Sequence, residues 1–226
     1  MGGDETTAID AAAESVILAR FAGLNATIVS EEAGIRGDGK THVVVDPIDG
    51  SLNAKRGIGF FSVSIAVASG PSMGDVDFGF VHDFGTGEEW TATRGEGARL
   101  NGAPLEGELP KGEIEILSFE ATRTAAVAEQ AAAVVDLAYR LRIMGSLALS
   151  LCHLAAGRVD AVCSLKPARA VDIAAAQLLV RERGLAIDLF DAPPFGSAPL
   201  DLEGRSRVAA AGTPELCRRL ASTLSA

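Results

Sequence analysis

Residues 42–51 read HVVVDPIDGS, an apolar run that ends in two aspartates. A β-strand that stops at Asp46 would deliver this carboxylate at the strand's end, where ligands commonly bind in α/β proteins. Pro47 fixes its own φ and helps to turn the chain, so we expect Asp49 to converge with Asp46. The stretch therefore predicts two carboxylates at one edge of a sheet.

Backbone donors follow these two acids. Gly50 and Ser51 would present N–H groups to an anion, more effectively if a short helix begins there. Two hard carboxylates beside such donors are typical of a magnesium–phosphate site. The alternative is a tight turn without chemistry, because Asp-Pro and Asp-Gly pairs are common in turns. This stretch alone does not decide between the two interpretations.

Further acids stand at the ends of other predicted elements. Glu31 and Glu32 follow the β-rich run at 26–30, and Asp172 lies in the first turn of a predicted helix over 171–183. Each has an ordinary explanation: a solvated turn for the glutamates, and a favourable helix-dipole position for Asp172. Together with the two aspartates of the first stretch, however, they favour a functional site.

Composition narrows the class of partner. The chain has 226 residues, is 48% hydrophobic and carries a formal net charge of −10. Thirty acidic residues against twenty basic ones argue against a nucleic-acid partner. A small anion stays compatible, because bound metal ions reverse the local sign of charge. No apolar run approaches the roughly 18 residues of a membrane span, so we expect a cytoplasmic protein without a membrane partner.

The order of predicted elements indicates a layered α/β fold. Helical spacing or strand-like alternation marks the following segments: a helix over 7–21, strands at 26–30, 42–46, 61–68, 76–81, 89–93 and 113–119, helices over 124–139 and 146–156, a strand at 159–165, and a helix over 171–183. We therefore predict an N-terminal α+β half over residues 1–112 and a C-terminal α/β half over 113–226.

Three segments carry a resemblance that covers almost the whole chain. They are SEEAG at 30–34, DPIDGS at 46–51 and VDIAAA at 171–176, in that order. They resemble the three motifs of the inositol monophosphatase family of Mg-dependent, lithium-sensitive phosphatases. Segments 2–7, 51–54 and 94–98 are similar to its archaeal-type branch, whose members often hydrolyse both inositol monophosphate and fructose 1,6-bisphosphate. The resemblance implies a sugar-phosphatase fold of alternating α-β-α-β-α layers.

The resemblance also implies a set of ligands for two or three Mg²⁺ ions. The implied ligands are Glu31, Asp46, the backbone carbonyl of Ile48, Asp49 and Asp172, with Asp4 assisting a third, weakly held ion. Glu31 and Asp46 are expected to bridge ions, and Glu31 counts among the catalytic residues. Asp10 and Ser51 are implied to orient and deprotonate the attacking water. The family more often has Thr at position 51; Ser keeps the hydroxyl but lacks the methyl group that restricts its rotamer.

Substrate choice is expected to lie in the second half. Gly145 and Ser146 resemble the family's small-residue turn that contacts the substrate. The candidates on this side are Arg142, Gly145, Ser146, Lys166, Arg169 and Asp172. In a bisphosphatase, one or more of the cations would hold the phosphate that is not hydrolysed. The alternative for each cation is a solvated position near a helix end.

These residues predict Mg-dependent hydrolysis of a small phosphomonoester, inositol 1-phosphate and/or fructose 1,6-bisphosphate, by metal-activated water. A 3′-phosphoadenosine nucleotidase and a catalytically silent binding or regulatory homologue are the alternatives. The resemblance further suggests a homodimer. It also implies a helical segment ahead of Gly2, on which we expect stability, dimerisation and closure of the catalytic loop to depend.

Overall fold

A computed structural model describes residues 8–107, 112–120, 123–190 and 194–225, and the described part contains two β-sheets. The first has the spatial order β2-β1-β3-β4-β5-β6-β7-β8. Its strands are β1 (Ala26–Ser30), β2 (Gly34–Arg36), β3 (Thr41–Asp49), β4 (Ser62–Ala68), β5 (Val76–Asp83), β6 (Glu89–Thr93), β7 (Gly97–Leu100) and β8 (Ala103–Pro104). Residues 1–7, and with them the predicted third-metal residue Asp4, lie outside the described ranges.

The second sheet has the order β10-β9-β11-β13-β12. Its strands are β9 (Ile114–Glu120), β10 (Ala138–Arg142), β11 (Ala161–Ser164), β12 (Ala186–Leu189) and β13 (Val208–Ala211). The described helices are α1 (Ala8–Phe21), α2 (Ser51–Arg56), α3 (Thr124–Ala131), α4 (Leu147–Ala155), α5 (Ala170–Glu182) and α6 (Pro214–Ser225). Within these ranges, none of the helices combines the length and the apolar character needed to cross a membrane.

Helices and sheets alternate as layers. Helices α4 and α5 lie between the sheets, and their buried side chains share one core with residues such as Trp90 of the first sheet and Val162 of the second. Helix α6 covers the outer face of the second sheet, where Leu220 packs in a core with Phe119. Helix α1 covers the outer face of the first sheet through Ile17. The predicted α-β-α-β-α layering is confirmed.

Small side chains bring α5 close to the first sheet. Along β4 burial alternates with the period of a strand, and the fully buried positions are Ser or Ala. At Gly79 in β5, a Cβ atom would lie 2.5 Å from the carbonyl oxygen of Ala175, so only glycine fits beneath the helix. The close approach positions the first turn of α5, and therefore Asp172, over the ends of the central strands.

Strand β3 ends at Asp49, three residues after the end predicted from the sequence at Asp46. Against β4, Asp46 pairs with Ser64 and Asp49 with Ser62, so three steps along β3 oppose two along β4. The extra residue on β3 forms a β-bulge. The bulge contains Pro47, which has no N–H to donate to the neighbouring strand. In a regular strand, residues three apart face opposite sides. The bulge turns Asp46 and Asp49 toward the same layer.

The predicted helix over 124–139 was wrong in its second part. Helix α3 ends at Ala131, a 3₁₀ turn spans Ala132–Val134, and the chain then forms β10, which pairs in parallel with β9. Alanine and leucine favour a helix by intrinsic propensity, but this preference is weak and pairing with a neighbouring strand outweighs it. The exposed side chains of this edge strand, such as Tyr139, gave no strand-like alternation to read.

Candidate active site

Three carboxylates from both halves of the chain meet between the layers. Glu31, Asp46 and Asp172 each offer one oxygen, and these oxygens all lie within 4.8 Å of one another. Asp46 is the deepest, with 2% of its surface exposed. We call this group the acid cluster. It contains three of the acids predicted from the sequence, brought together across more than 120 residues of chain.

Strand pairing explains the first two positions. Strands β1 and β3 are parallel neighbours, and the N–H of Glu31 donates to the carbonyl of Val45 at 3.2 Å, so Glu31 leaves its strand beside Asp46. The turn is held from α1, where Glu14 Oε1 accepts from the Ser30 hydroxyl at 2.5 Å and from the Ala33 N–H at 2.6 Å. The carboxylate of Glu31 therefore projects from a turn that is fixed by hydrogen bonds to α1.

The third carboxylate is held at the start of α5. Asp172 Oδ2 accepts from the N–H of Arg169 at 2.6 Å, an interaction that fixes the first turn of the helix. Asp46 is held in the bulge in a similar way, because its Oδ1 accepts from the N–H of Ile48 at 3.0 Å. Each of these two carboxylates thus has one backbone donor and keeps other lone pairs for a cation.

Burial makes this concentration of negative charge costly. Desolvation raises the pKa of Asp46 well above its usual range, and the neighbouring charges of Glu31 and Asp49 raise it further. Burial also raises the pKa of Glu31, although its hydrogen bond with Arg169 acts in the opposite direction. The acid cluster is therefore a site where added positive charge is stabilised.

One cation of the chain already lies there. The Arg169 guanidinium donates to Glu31 Oε1 and reaches Asp172 Oδ1 at 3.4 Å. Burial lowers the pKa of Arg169, but the charges of Asp172 and Glu31 outweigh this effect, so its pKa is raised. The convergent oxygens and the arginine among them show that this donor set accepts a cation. Hard carboxylate oxygens in such a set fit Mg²⁺.

Asp49 has a different environment from the acid cluster. Its Oδ2 accepts from the Ser146 hydroxyl at 2.5 Å and from the N–H of Ala148 at 2.7 Å, at the beginning of α4. Burial raises the pKa of Asp49 to about 7, against the lowering effect of the Ser146 hydrogen bond, and the charge of Asp172 contributes to the rise. Asp49 therefore joins the first sheet to the helices of the second half and lies within electrostatic reach of the cluster.

Helix α2 begins at Ser51, where the sequence predicts that the N–H groups of Gly50 and Ser51 hold an anion. Gly50 has φ of 95°, and a Cβ atom there would lie 3.1 Å from the carbonyl oxygen of Phe60, so glycine is required. The Ser51 hydroxyl donates to the carbonyl of Ile48 at 3.0 Å, which leaves the second lone pair of that oxygen for another partner. Asp10 lies on α1 with 4% of its surface exposed.

The predicted substrate-side residues separate into three groups. Arg169 and Asp172 lie at the acid cluster. Gly145 is exposed at the turn before α4, whereas Ser146 is fully buried and its hydroxyl is engaged with Asp49. The cations Arg142 and Lys166 lie at the surface; the guanidinium of Arg142 donates to the carbonyl of Leu141 at 2.8 Å.

Two residues near the site were not predicted. Glu120, the last residue of β9, is buried and accepts hydrogen bonds from the turn that contains Gly145. Asn53 on α2 donates to the carbonyls of Phe60 and Met144, both at 2.8 Å. A signal for Glu120 was available, because the run ILSFE at 116–120 ends an apolar strand on an acid, as HVVVD does at 42–46. For Asn53 the signal was the family similarity of segment 51–54, which did not indicate a role for this side chain.

Several known proteins are similar to this chain in sequence and architecture. The model of the inositol monophosphatase family matches residues 2–226. A fructose-1,6-bisphosphatase/inositol-1-monophosphatase from Methanothermobacter thermautotrophicus is 33% identical, over 98% of this chain and 84% of that protein. The Nus factor SuhB of Pasteurella multocida is 38% identical over 80% of this chain and 70% of its own. A Pyrococcus horikoshii structure described as similar to inositol-1 monophosphatase superposes with a TM-score of 0.82 at 28% identity, over 98% of this chain and 86% of that one.

Proposed function

The chain belongs to the inositol monophosphatase family and is a phosphatase of this type, and from this premise we propose that it hydrolyses inositol 1-phosphate, fructose 1,6-bisphosphate or both. Two kinds of relative support this choice of substrates. The Methanothermobacter thermautotrophicus protein bears both activities in its name, and a Pyrococcus furiosus relative, 34% identical over 82% of this chain, is named fructose-1,6-bisphosphatase.

The convergence of Glu31, Asp46 and Asp172 around a buried cation position carries the proposal. We assign two or three Mg²⁺ ions to these carboxylates, to Asp49 and to the carbonyl of Ile48. Bound Mg²⁺ would polarise the phosphoryl oxygens, lower the pKa of the attacking water and stabilise the departing alkoxide. Phosphoryl transfer asks the rest of the protein mainly for positioning and charge compensation.

The remaining residues are assigned to positioning. Asp10 and Ser51 orient the attacking water and remove its proton, and the Ser51 hydroxyl is one hydrogen bond from a proposed metal ligand, Ile48. The N–H groups of Gly50 and Ser51 are assigned to bind the phosphoryl oxygens. When Glu31 and Asp172 hold a metal ion, the Arg169 guanidinium becomes available to a substrate phosphate, which its fork of donors fits.

On the substrate side, Gly145 lies at the exposed turn, and Arg142 and Lys166 supply surface cations for a second phosphate. Ser146 contributes indirectly, through its hydrogen bond to Asp49. A homodimer and a cytoplasmic location complete the proposal; sedimentation of the purified protein tests the first.

A phosphate-release assay tests the function. Inositol 1-phosphate, fructose 1,6-bisphosphate and 3′-phosphoadenosine 5′-phosphate are compared at saturating Mg²⁺ and with a chelator. We expect release from one or both of the first two, only with Mg²⁺. Release from the adenosine nucleotide alone would instead identify a nucleotidase. Calorimetry that detects Mg²⁺ and phosphoester binding while no substrate is turned over would indicate a catalytically silent binding or regulatory homologue.

A further inference from the structure

The carboxylate of Glu120 is buried and surrounded by neutral donors. Its Oε1 accepts from the hydroxyls of Ser118 at 2.8 Å and Ser150 at 2.7 Å, and from the N–H of Met144 at 3.3 Å. Its Oε2 accepts from the N–H of Gly145 at 2.8 Å. Only 6% of its surface is exposed, and none of the ion pairs among the described residues involves it.

Such an arrangement has a specific structural consequence. Burying an ionised carboxylate without a cation is costly unless its lone pairs are occupied. Here two donors are hydroxyls of rigid elements, Ser118 in β9 and Ser150 in α4, which also contact each other at 3.1 Å. The other two donors are consecutive backbone N–H groups, of Met144 and Gly145. The carboxylate therefore ties the backbone of one turn to a strand and a helix.

That turn lies beside the proposed catalytic residues. Gly145 has φ of 92°, and its carbonyl oxygen lies 3.2 Å from where a Cβ of Gly50 would be. Asn53 holds the carbonyl of Met144 from α2, and the next residue, Ser146, donates to Asp49. The turn is thus fastened from three elements. Glu120 supplies the contacts from the second sheet.

We propose that Glu120 is a positioning residue, which holds the Gly145 turn at the distance from the acid cluster that a bound substrate requires. This inference rests on the proposed function, because the turn matters only if a substrate occupies the cluster beside it. Glu120 does not touch the substrate. Its effect passes through the N–H groups of Met144 and Gly145, and loss of the carboxylate weakens substrate binding without removing a metal ligand.

The test is the near-isosteric substitution Glu120→Gln. The amide has one oxygen acceptor and one NH₂ donor in place of two acceptor oxygens, so in either orientation it leaves the N–H of Met144 or that of Gly145 without an acceptor. We expect KM to rise about tenfold, as loss of a hydrogen bond to a charged group predicts, while kcat and the Mg²⁺ concentration for half-maximal rate change less than about threefold. Glu115→Gln, on the exposed side of the same strand, is the matched control and should leave all three unchanged. A purely structural role would lower the melting temperature and leave KM unchanged.

Amide hydrogen exchange makes the inference testable without turnover. Exchange at Met144, at Gly145 or at both should be roughly tenfold faster in Glu120→Gln than in the wild type, and unchanged in Glu115→Gln. If Glu120→Gln does not fold, Ser150→Ala loosens the anchor while leaving the carboxylate, and should raise KM about threefold. An unchanged KM in an active enzyme, or unchanged exchange at the two amides, overturns the inference. Absence of phosphate release by the wild type would overturn the proposed function instead.

Discussion

Two buried acidic sites lie at the ends of strands in this molecule, and they are built in opposite ways. The acid cluster brings together three carboxylates, with one backbone donor each for Asp46 and Asp172, and an arginine lies among them. Glu120 is a single carboxylate with four neutral donors. At the first site the carboxylate oxygens outnumber the neutral hydrogen-bond donors. At the second site four neutral donors surround one carboxylate.

The number of hydrogen-bond donors distinguishes a buried acid that binds a metal ion from one that fixes a conformation. A carboxylate whose lone pairs are filled by the protein gains nothing from a cation and serves to fix a conformation. Carboxylates that repel one another and keep free lone pairs bind a cation strongly. The number of donors around each acid is the basis on which we propose metal binding for Glu31, Asp46 and Asp172, and positioning for Glu120.

The largest expected effect comes from Asp46→Asn. Removing a central metal ligand should lower the rate of Mg-dependent phosphate release about 1000-fold. This change corresponds to a loss of about 4 kcal/mol of transition-state stabilisation. The metal-free protein should become more stable at neutral pH, because folding no longer buries a repelled charge. Rates and chemical denaturation measure the two effects. Asp77→Asn, which removes an exposed carboxylate of β5, is the control, and equal behaviour of the two variants would contradict the metal-site assignment.

Glu120→Ala should act in the opposite direction on stability. It leaves four donors without their acceptor, so we expect the free energy of unfolding to fall by about 3 kcal/mol. Urea denaturation of the metal-free protein measures this change. If Glu120→Ala stabilised the protein, as Asp46→Asn is expected to do, the contrast between the two sites would be lost.

Metal affinity should depend on pH at the first site. The pKa of Asp49 is raised to about 7 and that of Asp46 is also raised, so protons compete with Mg²⁺ near neutrality. Calorimetry should give an apparent Mg²⁺ affinity about tenfold higher at pH 8 than at pH 6. The same shifts mean that the folded state binds protons more tightly than the unfolded chain. The stability that Asp46 and Asp49 contribute to the metal-free protein should therefore fall as pH rises from about 4 to 7. A pH-independent affinity would contradict these assignments.

A smaller effect is expected from Arg169→Met. The substitution removes the internal cation that Mg²⁺ must displace from Glu31, so Mg²⁺ should bind roughly fivefold more tightly, as loss of an ion pair of about 1 kcal/mol predicts. The melting temperature of the metal-free protein should fall. Arg140→Met, which breaks an exposed pair with Glu115, gives the same change in net charge and should not alter Mg²⁺ affinity. Weaker Mg²⁺ binding in Arg169→Met would show that the arginine does not compete.

Local sequence predicted much of the site. Apolar runs that end on acids located Glu31 and Asp46, and helical spacing placed Asp172 in the first turn of α5. Alternation and turn residues indicated the layered fold. These features were readable because each depends on a few neighbouring residues.

Other features depend on contacts that no local pattern contains. The bulge that aligns Asp49 with Asp46 follows from pairing with β4, and β10 forms because β9 offers an edge. The four hydrogen-bond donors to Glu120 come from β9, α4 and the turn before α4, so the sequence could not predict that its carboxylate is fully hydrogen-bonded. The engagement of Arg169 with Glu31 joins residues 138 positions apart.

The contrast between the two sites is tested most directly by an anomalous-difference map from crystals of the wild-type protein saturated with Mn²⁺. We predict a peak bounded by the carboxylates of Glu31, Asp46 and Asp172, with the Arg169 guanidinium moved away from Glu31, and no peak at Glu120. An acid cluster that still holds Arg169 and shows no peak at saturating Mn²⁺ would contradict the assignment of the metal site.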